Sequence, residues 1–196
     1  MAPVIRALAE VCDVLGDAGN LRREGEEARV LRGSLVGRPI PSVVLTGYEG
    51  ELFDLAKYVA TPSVVYVYPG APCSPNGGEV SAGLDGAQHR GYMMFWQTFF
   101  MMKVKRLGVS SPPWQQLCAS YDTDHVRHLL WSDPEFLMAE ALGLPTFEAD
   151  GVRWYRRLTM VILKGRITKV FYPVTPPMED AQNVFDWLQS RGFKCE

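Results

Sequence analysis

Ser63-Val64-Val65-Tyr66-Val67-Tyr68 carries no charge and, from Val64 on, is wholly β-branched or aromatic. A short apolar run of this kind, bounded by turn signals, reads as a strand buried on both faces. Pro69-Gly70 ends it, since proline cannot donate to a ladder and glycine takes turn geometry. A strand covered on both sides needs neighbouring strands and a layer of helices over each face.

Downstream, Ala71–Gly86 is rich in Gly and Pro and reads as a long loop, the kind of segment that often carries function in a compact domain. Val104–Val109 is a second strand. Ser110-Ser-Pro-Pro113 is a helix start, with proline tolerated in the first turn, and the helix is expected to reach Tyr121. His128–Trp131 is a third strand, and Ser132-Asp133-Pro134 opens a helix to Leu142. Trp154–Leu163 reads as one long strand, turned at Lys164-Gly165 into Arg166–Val174, a β-hairpin. Pro176-Pro177 introduces a terminal helix with Ala181, Val184, Phe185 and Leu188 on one face.

Upstream, Pro39–Leu45 is a short apolar run followed by turns at Gly47 and Gly50. Val4, Leu8, Val11 and Leu15 recur at helical spacing over residues 3–16, closed by Asp17-Ala-Gly19, and residues 21–32 form a second, charged helix. Residues 1–35 are therefore a helical extension and residues 36–196 the domain proper. The expected class is α/β, a central mixed sheet flanked by helices.

Bulk properties narrow the function. A chain of 196 residues, 47% hydrophobic, builds one sizeable core. A net charge of -2 offers no Lys/Arg excess for nucleic acid or a membrane surface. No apolar run approaches the roughly 18 residues of a spanning helix, and the N-terminus lacks a signal-peptide pattern, so a cytoplasmic location is expected. Cys12, Cys73, Cys118 and Cys195 are scattered without a CxxC pair, which reads as reduced thiols rather than a disulfide scaffold. Asp122, Asp124, His125 and His128 suggest a metal by composition. No second cluster accompanies them, and a solvated turn is the better reading. GxGxxG, GxxxxGKS, HExxH and GxSxG are absent. No metal or cofactor is expected.

The order of strands, loop and helices resembles the thioredoxin fold, and local sequence sharpens the likeness to the peroxiredoxins. Val65-Tyr-Val-Tyr-Pro69 resembles the strand that delivers their active-site loop. Ser132-Asp-Pro-Glu-Phe136, Ala139 and Leu142-Gly-Leu-Pro145 resemble the segment after their third strand. Arg157-Leu-Thr-Met-Val-Ile-Leu-Lys-Gly-Arg-Ile167 resembles their hairpin. Phe171-Tyr-Pro-Val-Thr-Pro-Pro177 and Trp187-Leu188 are similar to the end of the bacterioferritin-comigratory type. The likeness covers about residues 37–190 and rests on the order and spacing of these segments.

The resemblance implies a peroxidatic cysteine in the first turn of the helix after the loop, with a resolving cysteine often five residues on. No cysteine lies between Cys73 and Cys118. If Gly86-Ala87 marks the loop end, Arg90 stands at the peroxidatic position and Phe95 at the resolving one. The resemblance also implies that Arg157 faces the site where the thiolate would lie. Strand alternation sets Tyr155, Arg157, Thr159 and Val161 on one face. An inward arginine without a thiolate needs another anion, either a carboxylate of the chain or a substrate anion held by its planar fork.

The candidate catalytic residues are His89, Arg90, Tyr92 and Arg157, with Cys73 as the alternative nucleophile. His89 and Tyr92 offer acid–base groups beside Arg90. Tyr68, Met93, Trp96 and Tyr155 are candidate substrate-binding residues. From Tyr92 to Met102 only Gln97 and Thr98 are polar, so this helix is buried or lies in an interface, and a homodimer is expected. Three readings stand. The chain is an enzyme repurposed for a small anionic, partly apolar organic substrate, as in a specialised biosynthetic pathway. Otherwise it is a non-catalytic binding or partner protein, or a thiol peroxidase using Cys73.

Overall fold

The computed structural model describes residues 25–70, 87–117, 128–149 and 151–195. The chain divides into two units, Met1–Ser34 and Leu35–Glu196. In the first, residues 25–34 are helical, and the expected helix over 3–16 lies outside the described residues.

In the second unit the decisive run forms β3, Ser63–Val67, with every residue buried. It pairs in parallel with β4, Lys105–Ser110, which pairs in parallel with β5, Leu129–Ser132. On its other side β3 pairs antiparallel with β8, Leu158–Leu163, which turns back into β9, Arg166–Phe171. Two antiparallel strands, β1 (Val44–Gly47) and β2 (Leu52–Asp54), extend the sheet beyond β5. The order across the seven strands is β2-β1-β5-β4-β3-β8-β9. The sequence reading anticipated the centre and the outer hairpin. It saw in Pro39–Leu45 a run and in Gly47 and Gly50 turns, and missed that they close the β1–β2 hairpin.

On one face Val64, Tyr66 and Tyr68 form a core with Tyr92, Phe99, Leu130, Val161, Ala181, Val184 and Leu188. The helices Ala87–Met94, Trp96–Met101 and Asp180–Ser190 supply its outer layer. The apolar stretch expected as one helix is thus two, broken at Phe95. On the opposite face Trp131 of β5 stacks on Phe53, with centroids 4.9 Å apart, and takes the edge of Tyr58 from the short helix Leu55–Tyr58.

Two further corrections concern the region after β5. The helix after Ser132 begins at Leu137 rather than at Pro134. Asp133 still organises it, accepting from the Leu137 and Met138 amides at 2.8 and 2.9 Å, which satisfies donors that a helix start leaves open. Gly143, at φ 72, ends it in the left-handed conformation that glycine takes without strain. Trp154–Leu163 is not one strand. Val152–Tyr155, β7, pairs with β6, Thr146–Ala149, in a separate two-stranded sheet. Arg156-Arg157 is the link from that small sheet to β8.

Candidate functional site

Three chain segments meet where β3 ends. Val67, the last residue of β3, pairs with Leu158, the first of β8, so the Arg156-Arg157 link stands beside Tyr68-Pro69. Thr159 pairs with Phe171, which brings Tyr172-Pro173-Val174 alongside. Together Pro69, Arg156, Arg157, Tyr172, Pro173 and Val174, closed by Phe147 of β6, line a cavity of about 220 Å³. The Tyr172–Pro173 peptide is cis. Arg156 is exposed and its guanidinium lies over the Phe147 ring, 5.6 Å from the centroid. Arg157 is half-buried.

Behind Arg157 lies a buried polar knot. Asp180, the first residue of the terminal helix, is 2% exposed. Its Oδ2 accepts from Thr159 Oγ1 at 2.6 Å, Gln88 Nε2 at 2.9 Å and Tyr92 Oη at 3.0 Å. Burial pushes the Asp180 carboxyl above the ordinary carboxylate range, while those three donors and the positive charge of Arg157 pull it back. The knot ties the helix Ala87–Met94 and the terminal helix to β8. Burial and the neighbouring Asp180 charge hold Tyr92 protonated.

A second buried pair lies deeper. Tyr66 stacks on Tyr92, with centroids 4.3 Å apart and planes 6° from parallel, and its hydroxyl meets His128 Nε2 at 2.5 Å. Gly108 leaves room for that phenol, since a Cβ there would lie 2.6 Å from Tyr66 Oη. Burial first, then the charges of Arg106 and His89, keep the His128 imidazole neutral well below its usual range. His128 is therefore a core histidine joined to a tyrosine, not part of the solvated turn expected there. Asp122, Asp124 and His125 lie outside the described residues.

The candidate residues fall in different places. Arg157 lines the cavity, and buried Tyr68 stands next to its Pro69 wall. His89 is 4% exposed, its ring 5.9 Å from that of Tyr68. Arg90, expected as the second cation, is exposed on its helix and does not line the cavity; Arg156 does. Tyr92 is fully buried in the knot. Met93 packs half-buried against the aromatic core, and Trp96 is half-buried at the start of the next helix. Tyr155 is elsewhere, donating to Asp133 Oδ2 at 2.6 Å and accepting from the Ala139 amide at 3.2 Å. The expected alternation fails there because Tyr155 and Thr159 belong to different sheets. Cys73 and Cys118 lie outside the described residues. Arg156 was hidden by the same error, since alternation along one strand sends it to the face opposite Arg157. The adjacent Arg-Arg pair was the available signal.

A central sheet with parallel β3, β4 and β5, the outer β8–β9 hairpin and helices over it is the thioredoxin-like arrangement, and the solved structures similar to this chain include peroxiredoxins. BcpB from Mycobacterium tuberculosis is 18% identical with a TM-score of 0.66, over 80% of this chain and 97% of that one. A PrxQ mutant from Xylella fastidiosa gives 18% and 0.66, over 80% and 96%. Reduced Prx3 from Vibrio vulnificus in complex with hydrogen peroxide gives 19% and 0.66, over 81% and 98%. No curated protein matches the chain in sequence. Residues 35–186 match the Redoxin family, and the chain belongs to it. Among the described residues no helix is long and apolar enough to cross a membrane.

Proposed function

We propose that this chain is a peroxiredoxin-like protein without ordinary cysteine peroxidase chemistry, and that it binds a small, partly apolar organic anion in the former peroxide pocket. The cavity beside Arg156 and Arg157 carries the reading. Its lining joins two guanidinium groups to the apolar surfaces of Phe147, Tyr172, Pro69, Pro173 and Val174. Arginine pairs with a carboxylate through a planar fork, and the aromatic and proline walls suit the body of an aryl or short acyl carboxylate. About 220 Å³ lies below the usual range for drug-sized ligands, roughly 300–1,000 Å³, which favours a compact molecule. The absence of any cysteine between Cys73 and Cys118 supports the loss of peroxidase chemistry. The described lining holds no imidazole, carboxylate or thiol. It therefore supports recognition of the anion, and a chemical transformation would draw its acid–base group from the Tyr172 phenol or from outside this lining.

Calorimetric titration with benzoate tests the reading. Benzoate is expected to bind, and Arg157→Ala to weaken it by about 1.5–3 kcal/mol, the worth of hydrogen bonds to a charged group. Arg157→Lys restores part of that, lacking the bidentate fork. Hydrogen peroxide consumption with a thiol reductant is expected to stay near background. Fast turnover abolished by Cys73→Ser, with no carboxylate binding, would replace this reading with that of a peroxidase.

A further inference from the structure

We propose that Asp180 takes up a proton from solvent when an organic carboxylate engages Arg157, so that the site binds the anion and a proton together. This rests on the carboxylate reading of the cavity and adds its regulation by pH.

The argument begins with the charges around Asp180. The helix Ala87–Met94 presents Gln88 and Tyr92, both hydrogen-bonded to the carboxylate. β8 presents Thr159, and β3 presents Tyr66, a phenol that burial first and the Asp180 charge in addition hold protonated. His89, on the same helix as Gln88, packs toward Tyr68. Glu179 precedes Asp180 and is exposed. Among the described residues, Arg157 is the cation whose field acts on Asp180. A buried carboxylate depends on such a cation, because charge is costly to hold away from water.

A ligand carboxylate on the Arg157 fork cancels that field and adds a second negative charge beside it. Arg157 acts on Asp180 less than the three hydrogen-bond donors do. Thr159, two residues along the chain from Arg157, holds the carboxylate near it. A second negative charge arriving there raises the cost of keeping both carboxylates ionised, so that one takes a proton. The ligand stands in an open cavity beside the exposed Arg156. Asp180 is 2% exposed. The less hydrated of the two is the one that protonates. The chemical balance is simple: one O–H bond forms at Asp180, and solvent or buffer supplies the proton.

The polar knot is equipped for both states. With Asp180 ionised, Gln88 Nε2 donates to Asp180 Oδ2 at 2.9 Å and to Thr159 Oγ1 at 3.1 Å. Gln88 is fully buried, and its Oε1 has no hydrogen-bond partner. A buried acceptor left so is costly. Turning the amide over puts Oε1 where Nε2 stood, ready to accept the new proton of Asp180 and the hydroxyl of Thr159. An amide is the side chain that can donate or accept in one place. Gln88 thus serves either protonation state without moving a helix.

The test titrates the full chain with benzoate between pH 5.5 and 8 in two buffers of contrasting ionisation enthalpy. The expected result is a buffer-dependent binding enthalpy that reports uptake of up to about one proton, with affinity falling by up to about tenfold per pH unit where uptake is complete. Asp180→Asn keeps an acceptor for Thr159 and Tyr92 but cannot ionise. It is expected to abolish the uptake and to hold the low-pH affinity at every pH. Wild-type binding with equal enthalpy in both buffers and a flat pH profile overturns the inference and leaves the carboxylate site standing. Uptake that persists in Asp180→Asn assigns the proton to another group, with His89 the nearest candidate, and also overturns it. Absence of benzoate binding at every pH removes the site and this inference with it. If Asp180→Asn does not fold, His89→Gln takes its place: uptake that survives it supports Asp180, and uptake that it abolishes overturns the inference.

Discussion

Gly108→Ala puts a methyl group where the core has none to spare. The added Cβ would lie 2.6 Å from Tyr66 Oη, 2.7 Å from Tyr66 Cζ and 2.7 Å from Leu130 Cδ2. Carbon atoms pack best at about 3.5–4.0 Å, so Tyr66 or the strand must yield by most of an ångström. Neither yields cheaply. Tyr66 and Leu130 are fully buried, and Tyr66 is pinned by its stack on Tyr92 and its bond to His128. Overpacking of this kind costs about 1–3 kcal/mol. Displacing the phenol leaves buried His128 Nε2 without its partner, a further cost of about 1–3 kcal/mol. Relief of the glycine's strand penalty returns about 0.5–1 kcal/mol. The expected net loss is about 2–4 kcal/mol, read by urea denaturation at neutral pH. Tyr66→Phe removes the atom nearest the new methyl, so Gly108→Ala should cost less in that background, by at least about 1 kcal/mol in a double-mutant cycle. A single substitution within 0.5 kcal/mol of wild type, the usual range for harmless changes, or a strictly additive cycle, would show that the strand absorbs the methyl and that the Gly108–Tyr66 fit does not matter.

Burial holds the folded His128 below its ordinary value of 6.5. The unfolded chain therefore binds a proton that the folded chain refuses. Stability from this group is complete above pH 6.5 and falls as the pH drops below it, by up to about 1.4 kcal/mol per unit. Melting at pH 7.5 and 5.5 should show a drop that His128→Gln lessens, and an equal drop in both proteins would refute it. Tyr155→Phe removes the bond to Asp133 and the acceptor for the Ala139 amide; a loss of about 1–2 kcal/mol in urea is expected, with benzoate binding unchanged. Arg156 is exposed, so Arg156→Ala should weaken benzoate by less than Arg157→Ala; the reverse order would place the anion at the mouth of the cavity instead. Met94 and Phe100 are 74% and 69% exposed, and a homodimer is expected by light scattering, with a monomer counting against it.

The sequence by itself determined the centre of the sheet. Ser63–Tyr68 carries no charge and is β-branched or aromatic from Val64 on. A run so short, ended by Pro69-Gly70, reads as a strand buried on both faces, so the flanking strands and helices followed. It also determined that no cysteine stands between Cys73 and Cys118. Arg157 was legible because it sits at the head of the recognisable hairpin segment. Tertiary structure alone decided the rest of the site. Whether Trp154–Leu163 is one strand or two depends on which partners each half pairs with, and β7 pairs with β6 while β8 pairs with β3. That division breaks the alternation, frees Arg156 to join Arg157 at one cavity, and sends Tyr155 to Asp133 instead. Asp180, one of many carboxylates in a polar helix start, carried no sequence signal. Its meaning comes from three donors, on a helix 92 residues away in sequence for Gln88 and 88 for Tyr92 and on a strand 21 away for Thr159. Local patterning reads burial and periodicity, which are properties of neighbouring residues. A polar site is a convergence of distant side chains, and the chain path that brings them together is set by the packing of the whole domain.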